Sequence, residues 1–465
     1  MTGTSRFGLL PALLCVLCAS PASAQVLYGS IVGTVNDPTS AAITGARVTA
    51  INKQTGVQRQ TTSNDAGGYT FAAVQPGSYE VKIAKDGFRV GADEGVEVTS
   101  NNTTRVDMAL QVGAVSDAIT IEASAAALQT DSANVRAEMQ SRDLTNVPVP
   151  IGRNYQNVLV TIPGFSPPTN AHSVPTNPSR ALAANVNGTP TAGVSVRIDG
   201  ASSQQTWLPH ITAYVPSLEA IETVNVVTNS FSAEQGLAGG AAVNVQIKSG
   251  TNQLHGSGFW YHVDNKLIAK PFTFALNNQQ NQRNPKYIFN QEGGTIGGPV
   301  KKNKIFYFGA YEASTRREFA NNTGTLPTAG MRAGNFADGT AIYGTRGVIF
   351  DPTTGSQTDG SGRTAFPNNI IPSSRISPIV NLIQAKMPVI SEAGFRDNNF
   401  FAVGGFLFDR QTVDTKFNYN INEKWTAYGR YSALKYTMNN PGMLGELGGT
   451  GISSAGGNTG VATGV

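Results

Sequence analysis

Short runs of alternating hydrophobic and polar residues follow one another through the first part of this 465-residue chain. Two of the clearest are residues 46–51 and 79–84. The second follows Pro76-Gly77, a pair that favours a tight turn because proline presets φ and glycine accepts a positive φ. A period of two is typical of strands with one buried face. We therefore predict a small antiparallel β-sandwich over residues 27–112.

The same period returns near the end of the chain, where residues 413–432 predict a hairpin with one apolar and one polar face. On the first strand the apolar face carries Val413, Thr415, Phe417, Tyr419 and Ile421, and the polar face carries Asp414, Lys416, Asn418, Asn420 and Asn422. A surface hairpin of a soluble protein would have the same period. The aromatic residues at the strand ends and the short turn favour a transmembrane β-barrel.

Two earlier stretches also predict strands of such a barrel. Residues 258–263 alternate, and residues 304–311 carry aromatic residues on both sides. A strand that is apolar on both sides is expected where it packs on an internal domain or crosses an aromatic girdle. Residues 313–410 are rich in Gly, Pro and Asn and predict one long loop region.

The middle of the chain mixes helix and strand signals, and we predict a mixed α/β unit over residues 138–250. Its pieces include residues 152–164, residues 196–204 and a helix end followed by a strand in residues 216–236. The whole chain is thus predicted to be mainly β.

Composition supports this fold class and narrows the function. Only 14% of the residues are Asp, Glu, Lys or Arg and 51 are Gly, which favours strands and loops over charged amphipathic helices. The net charge of +4 is small for this length, and the basic residues are scattered instead of forming a stripe. Nucleic acid is therefore not an expected partner.

The first 24 residues have the pattern of a secretory signal peptide. Arg6 precedes an apolar core, and Ala22-Ser23-Ala24 forms a small-residue cleavage site. Cys15 and Cys18, the two cysteines of the sequence, both lie inside this segment. A mature chain without cysteine must hold together outside the cytoplasm without disulfides, so large sheets are expected.

The first sandwich resembles the carboxypeptidase regulatory-like domain, a β-sandwich appended to many exported proteins. The resemblance is carried by Asp65, Gly68, Tyr69, Phe71, Pro76, Gly77, Tyr79 and Val81, with Gly87-Phe88 after them. It implies no peptidase activity, and the segment has no His and no paired carboxylates at metal-ligand spacing.

After a seam at residues 113–137, the chain resembles TonB-dependent outer-membrane receptors of the Oar-like kind. The resemblance rests on the order of the pieces in residues 138–250, on the Asp199-Gly200 turn and on the step from Ser232 to Gly236. It implies that residues 138–250 are a plug domain and that residues 251–465 are barrel wall with long loops. Residues 293–312 look like an early barrel hairpin of that family.

Within the seam, residues 117–123 alternate and suit a strand that adds to the sheet edge of another protein. The segment comprises Asp117, Ala118, Ile119, Thr120, Ile121, Glu122 and Ala123. It resembles the TonB box, which implies a TonB-type energy-coupling protein as partner; the pattern alone is also that of a linker strand. In the plug, the residues singled out as structural pivots are Arg153, Asp199, Gly200, Glu234 and Gly236. Arg153 and Glu234 are candidates for pairing with charges of the wall, or are solvated surface charges.

The number of strands sets a limit on the architecture. Plugged outer-membrane transporters use 22 strands, and only about five or six fit into residues 251–465 at roughly ten residues each. We therefore expect an incomplete barrel and the N-terminal part of a longer receptor, located in the outer membrane with its sandwich in the periplasm. Outer-membrane lipid and an unidentified extracellular ligand are the other expected partners.

Motifs for enzyme chemistry are missing from the sequence. The four histidines have no metal-ligand spacing, and neither a phosphate-binding loop nor a GxSxG elbow occurs. We predict no enzyme activity, no metal and no cofactor. The competing hypothesis is a secreted or surface-attached adhesive protein whose sandwich binds carbohydrate on a platform of Tyr69 and Tyr79. A third hypothesis is a surface protein that has the receptor fold but moves no solute.

Overall fold

A computed structural model describes most of the chain. The described residues are 28–100, 102–113, 118–121, 133–149, 152–166, 184–190, 193–204, 212, 214–230, 239–270, 284–390, 397–423, 425–453 and 460–464. The predicted signal peptide lies outside them. In the described residues the chain is mainly β, as its sequence predicts.

The first part of the chain forms two sheets that enclose one core; together they are called the sandwich. One sheet has the order β4-β1-β7, with β8 also paired to β1, and the other has the order β3-β2-β5-β6-β9. The strands are β1 Gly29–Asn36, β2 Arg47–Asn52, β3 Gln58–Thr62, β4 Gly68–Val74, β5 Gly77–Ala84, β6 Val90–Val98, β7 Thr103–Arg105, β8 Met108–Ala109 and β9 Ala118–Ile121. The pairs β1–β7, β1–β8 and β6–β9 are parallel, so the sheets are not wholly antiparallel as predicted.

The core of the sandwich follows the two-residue period. Val81 and Ile83 are completely buried, while Lys82 between them is partly exposed. Tyr69 and Tyr79 are also buried, and their hydroxyl groups donate to the carbonyls of Val106 and Gln75. The carbohydrate platform of the competing hypothesis is therefore wrong, since buried rings offer no stacking surface, and the alternation of Tyr69 and Tyr79 with polar residues reflects their place in the core.

The second part is called the central unit. Its five-stranded sheet has the order β10-β13-β14-β11-β12. The elements are β10 Val135–Gln140, helix α1 Ser141–Asn146, β11 Val194–Ile198, β12 Ala201–Ser202, β13 Ile221–Asn229 and β14 Ala241–Ile247. Strand β14 is buried along its whole length, because residues pack on both faces of the sheet.

The third part is one antiparallel sheet of long strands in sequential order, called the long sheet. Its strands are β15 His255–Asp264, β16 Tyr287–Lys301, β17 Ile305–Gly324, β18 Phe400–Asn420, β19 Thr426–Asn440 and β20 Gly460–Gly464. The prediction of one loop over residues 313–410 is wrong at both ends, because β17 and β18 pair from Ile305↔Tyr419 to Gly324↔Phe400. The outer half of β17 is rich in polar residues, whereas residues 400–408 of β18 are apolar on both faces apart from two glycines, so neither stretch shows the alternation of a strand with one polar face.

The long sheet has two different faces. The inner face packs on the central unit and carries Phe306, Phe308, Arg410, Asp414 and Lys416, all buried. The outer face carries large exposed side chains, among them Tyr311, Phe417, Tyr419 and Tyr431. Register pairs such as Asp414↔Ser432 and Thr415↔Tyr431 keep the two sets apart through the β18–β19 hairpin.

The segment between β17 and β18 contains short helices. They are α2 Ala329–Arg332, α3 Ala337–Tyr343 and α4 Pro378–Lys386. Over the described residues, every helix is too short or too polar to cross a membrane.

Candidate coupling strand and the contact of the central unit with the long sheet

The segment singled out for coupling is a strand at the edge of the sandwich. Its described residues are Ala118, Ile119, Thr120 and Ile121, which form β9 and pair in parallel with β6 from Val90↔Ala118 to Asp93↔Ile121. Asp117, Glu122 and Ala123 lie outside the described residues. In the described part of this sheet β9 is the last strand, so its other edge has no strand partner.

A tight turn between β11 and β12 places Asp199 against the long sheet. Asp199 and Gly200 have φ values of 46° and 80°, in the left-handed region that Asp tolerates and Gly adopts without steric cost. Within the central unit, Oδ1 of Asp199 accepts from the backbone N–H of Ile247 at 3.1 Å. The turn and this hydrogen bond therefore position the Asp199 carboxylate through contacts within the central unit alone.

Two cations of the long sheet reach this carboxylate. Lys416 Nζ donates to Asp199 Oδ1 at 3.1 Å and to the carbonyl of Ile247 at 3.0 Å. Arg430 Nε lies 3.4 Å from Asp199 Oδ2. Lys416 and Arg430 face each other across β18 and β19. One buried anion of the central unit is thus shared by two cations of the sheet.

A second ion pair lies on the inner face, with exposed fractions of only 2% for both side chains. Arg410 Nη1 donates to Glu312 Oε1 at 3.0 Å, and Ser217 of the central unit donates to Glu312 Oε2 at 2.9 Å. Arg410 Nη2 also donates to the carbonyl of Val215 at 2.6 Å. Each charge of this pair therefore has both a partner in the sheet and a polar contact with the central unit.

A third contact involves a carboxyl group held by hydroxyl groups. Tyr214 of the central unit donates to Asp414 Oδ2 at 2.8 Å, and Ser432 donates to Asp414 Oδ1 at 2.6 Å. Burial, followed by the nearby Asp414 carboxylate, raises the pKa of the Tyr214 hydroxyl, which keeps it a donor.

Arg153, another pivot predicted from the sequence, has an unusual backbone φ of 41°. Its guanidinium pairs with Glu219 at 3.0 Å, inside the central unit, and lies 4.2 Å from the centre of the Tyr261 ring of β15. Arg153 thus reaches the long sheet through an aromatic face instead of a charge. Glu234 and Gly236 lie outside the described residues.

These contacts determine what the arrangement can do. Buried ion pairs gain little net free energy, because the loss of hydration offsets their attraction, but removal of one partner leaves a costly unpaired charge. The contact therefore specifies how the central unit sits on the sheet more than it adds to stability. When water enters, the charges regain hydration, so the contact is suited to reversible opening. Among the described residues, no group of three or more His, Cys, Asp or Glu side chains is placed to hold a metal ion.

Sequence reasoning selected Asp199 and Arg153 but did not select Glu312, Arg410 and Tyr214. The sequence signal that could have found Arg410 is the two-residue period of β18, which puts it on one face with Asp414 and Lys416. On such a strand the apolar residues face outward, so the charged residues that alternate with them face inward. Inside the protein these charges need partners. Their partners could not be named without the tertiary structure.

Comparison with protein families identifies two segments. Residues 30–111 match the carboxypeptidase regulatory-like domain, and residues 246–464 match the outer membrane beta barrel domain. Among curated proteins, the chain is 26% identical to the TonB-dependent transporter Oar of Myxococcus xanthus, over 63% of this chain. The match spans 28% of that relative's length.

Comparison with solved structures gives distant neighbours. The outer membrane transporter YddB from Escherichia coli is 10% identical with a TM-score of 0.39, over 66% of this chain and 34% of that one. The ferric enterobactin receptor PfeA from Pseudomonas aeruginosa is 12% identical with a TM-score of 0.33, over 66% and 33%. Residues 30–111 and 246–464 thus match these two domain families, 63% of the chain is similar in sequence to the TonB-dependent transporter Oar, and the outer membrane beta barrel domain indicates a location in the outer membrane.

Proposed function

We propose that this chain acts in TonB-dependent uptake of an extracellular ligand across the outer membrane. In this proposal the central unit, within residues 138–250, is the plug, and the long sheet is part of the barrel wall that surrounds it. Residues 117–123 are the segment that a TonB-type coupling protein binds. We assign no catalytic role to any residue.

The observation that carries the proposal is the buried polar contact between the central unit and the inner face of the long sheet. Asp199 meets Lys416 and Arg430, and Ser217 meets Glu312, each across the boundary between the two parts. A plug must be held in one orientation and yet be movable. A contact made of charges that regain hydration when they separate meets both requirements.

The outer face of the long sheet supports contact with lipid. Trp260, Phe417, Trp425 and Tyr431 are each more than half exposed on or beside its strands. Large aromatic residues that face outward near strand ends are typical of the girdles of membrane barrels. The inner face, in contrast, carries the charged and hydroxyl side chains. The expected partner of the outer face is therefore outer-membrane lipid.

The coupling step depends on the backbone of residues 117–123. A strand from the coupling protein pairs with this segment through main-chain hydrogen bonds, and the pull on it rearranges the plug. Strands β1 to β8 of the sandwich precede the segment in the chain, and the sandwich lies on the periplasmic side in this proposal.

The experiment is a binding measurement with a proline variant. The full chain in detergent micelles is titrated with the purified periplasmic domain of the TonB protein from the same cell. Ile119→Pro should abolish binding, because proline removes a backbone donor and bends the strand. Ala126→Pro, beyond the segment, serves as the matched control and should bind like the parent chain. Equal binding by the Ile119→Pro variant would contradict the proposal.

A further inference from the structure

The coupling segment has a fixed place in the fold. Strand β9 pairs with β6 at four positions, Val90↔Ala118, Gly91↔Ile119, Ala92↔Thr120 and Asp93↔Ile121. The pairing extends the sheet β3-β2-β5-β6 by one strand. The segment that the sequence marks as a linker or coupling strand is therefore, over these residues, a part of the sandwich.

Strand β6, which pairs with β9, is itself held in the sandwich by β5 and by buried side chains. It pairs with β5 from Gly77↔Val98 to Ile83↔Gly91, and its Ala92, Val96 and Val98 side chains are buried. A strand held on this support has already lost the backbone freedom of a loose peptide. A partner that binds it needs to order fewer residues than a partner that binds a disordered segment.

Within the described residues, one edge of β9 has no strand partner. Along a parallel strand, the N–H and C=O groups of alternate residues point to opposite sides. One side of β9 faces β6, and within the described residues no strand pairs with the other side. A partner strand that hydrogen-bonds to the second side of β9 uses backbone groups that do not bond to β6.

We propose that the sandwich presents the coupling strand. The strand of the TonB-type protein adds to the free edge of β9 as the next strand of this sheet, while β9 stays paired with β6. The inference rests on the proposed function and deepens it, since it names the surface on which the coupling protein docks. It also gives the sandwich a role, as the support that keeps β9 extended.

A cysteine staple tests whether β9 stays in place. Both cysteines of the sequence, Cys15 and Cys18, lie in the predicted signal peptide, so introduced cysteines react selectively. The variant Val90→Cys with Ala118→Cys joins two residues that pair in register. The control variant, Glu94→Cys with Ala118→Cys, places its second cysteine four positions further along β6 and should not form the bond. Binding of the purified periplasmic TonB domain is measured for the oxidised and the reduced full chain in detergent micelles.

The outcomes separate this inference from the proposed function. The stapled chain should bind within about twofold of its reduced form. A loss of more than about tenfold on oxidation, restored by reductant, would overturn the inference, because β9 would then have to leave the sheet; the coupling role itself would stand. If neither form binds and the parent chain does not bind either, the proposed function fails together with the inference.

Hydrogen exchange of the parent chain provides a second measurement that needs no substitution. With β9 retained, the backbone amides of Gly91 and Ala92 on β6 keep their protection when the TonB domain is added, and the amides of β9 gain protection. Loss of protection on β6 upon binding would contradict the inference, since it would mean that β9 had been pulled away.

Discussion

The central unit is held on its two sides by different kinds of contact. Toward the long sheet, buried charges take part: Asp199 lies between Lys416 and Arg430, and the Glu312–Arg410 pair of the sheet bonds to Ser217 and to the carbonyl of Val215. Toward the sandwich, neutral groups meet: Ser100 Oγ donates to Gln246 Oε1 at 3.2 Å, and Asn225 Nδ2 lies 3.4 Å from the carbonyl of Ser100. Just beyond the central unit, the backbone N–H of Asn252 donates to the carbonyl of Gln54 in the sandwich at 2.9 Å.

The difference concerns what happens when one group is lost. The hydrogen bonds at the sandwich contact are also buried, but each joins neutral groups, and a neutral hydrogen bond contributes only about 0.5–1.5 kcal/mol. A buried charge that loses its partner carries a much larger desolvation penalty, so removal of that partner costs about 3–5 kcal/mol. Substitutions at the contact with the long sheet should therefore lower the free energy of unfolding more than substitutions at the contact with the sandwich.

The largest effect is expected at the Glu312–Arg410 pair. Glu312→Ala leaves the Arg410 guanidinium buried and unpaired and should lower the free energy of unfolding by about 3–5 kcal/mol. The double variant Glu312→Met with Arg410→Met removes both charges and should restore most of that loss. Urea unfolding in detergent micelles, followed by tryptophan fluorescence, measures both.

The control for this cycle is an exposed ion pair of the same chain. Lys386 and Glu446 pair at 2.9 Å, and their side chains are 61% and 80% exposed. Glu446→Ala should change the free energy of unfolding by no more than about 0.5 kcal/mol. If Glu312→Ala has an effect as small as the control, the buried pair is not what orients the central unit.

The next largest effect is expected at Asp199. Asp199→Asn keeps the left-handed turn, because Asn tolerates a positive φ, but removes the charge shared by Lys416 and Arg430. Loss of charged hydrogen bonds should cost about 1.5–3 kcal/mol. Asp199→Leu loses the turn as well and should cost more. Equal unfolding midpoints for the parent chain and Asp199→Asn would show that the two cations do not depend on this carboxylate.

A pH-dependent effect is expected at Glu222, which lies in β13 between the two contacts. Burial raises the pKa of its carboxyl group above 4.5; Lys248, Lys416 and His255 oppose the rise, and Glu97 adds to it. The folded state therefore binds this proton more tightly than the unfolded state does, so the contribution of Glu222 to stability is fully present below pH 4.5 and is lost as the pH rises through the raised pKa.

Glu222→Gln isolates this contribution. The difference in the free energy of unfolding between the parent chain and the variant should vary with pH only over that window. Unfolding measured at several pH values from 4 to 8 tests it, with other titrating groups cancelling in the difference. A difference that stays constant with pH would contradict the assignment.

The smallest effect is expected at the sandwich contact. Ser100→Ala removes one neutral hydrogen bond to Gln246 and should cost about 0.5–1.5 kcal/mol. Limited proteolysis between the sandwich and the central unit measures whether the contact has loosened, and urea unfolding measures its cost. A cost above that of Asp199→Asn would reverse the comparison between the two contacts.

Much of the local structure was predictable from the sequence. The two-residue period of residues 79–84 predicted a half-buried strand, and β5 covers them. The alternation in residues 413–432 assigned Asp414 and Lys416 to one face and Phe417 and Tyr419 to the other, as the register has them. The outer halves of β17 and β18 were not predicted, because that of β17 is polar enough to resemble a loop and residues 400–408 of β18 are apolar on both faces without a two-residue alternation.

The candidate site was predictable only in part. Asp199 could be singled out because an Asp-Gly pair marks a turn with positive φ. Its partners Lys416 and Arg430 lie more than 200 residues further along the chain, and no local pattern links them to it. The position of β9 on β6 was not predicted, since an edge strand of four residues has no signal that names its neighbour.

By itself, the sequence determined which residues alternate, which turns need glycine or aspartate and which face of each long strand is polar, because these depend on neighbours a few positions away. Only the tertiary structure decided which charges meet and which strand carries β9. Which charges meet depends on how much hydration each of them loses when distant segments come together. That loss is set by the folded arrangement and cannot be read from a single stretch of the chain.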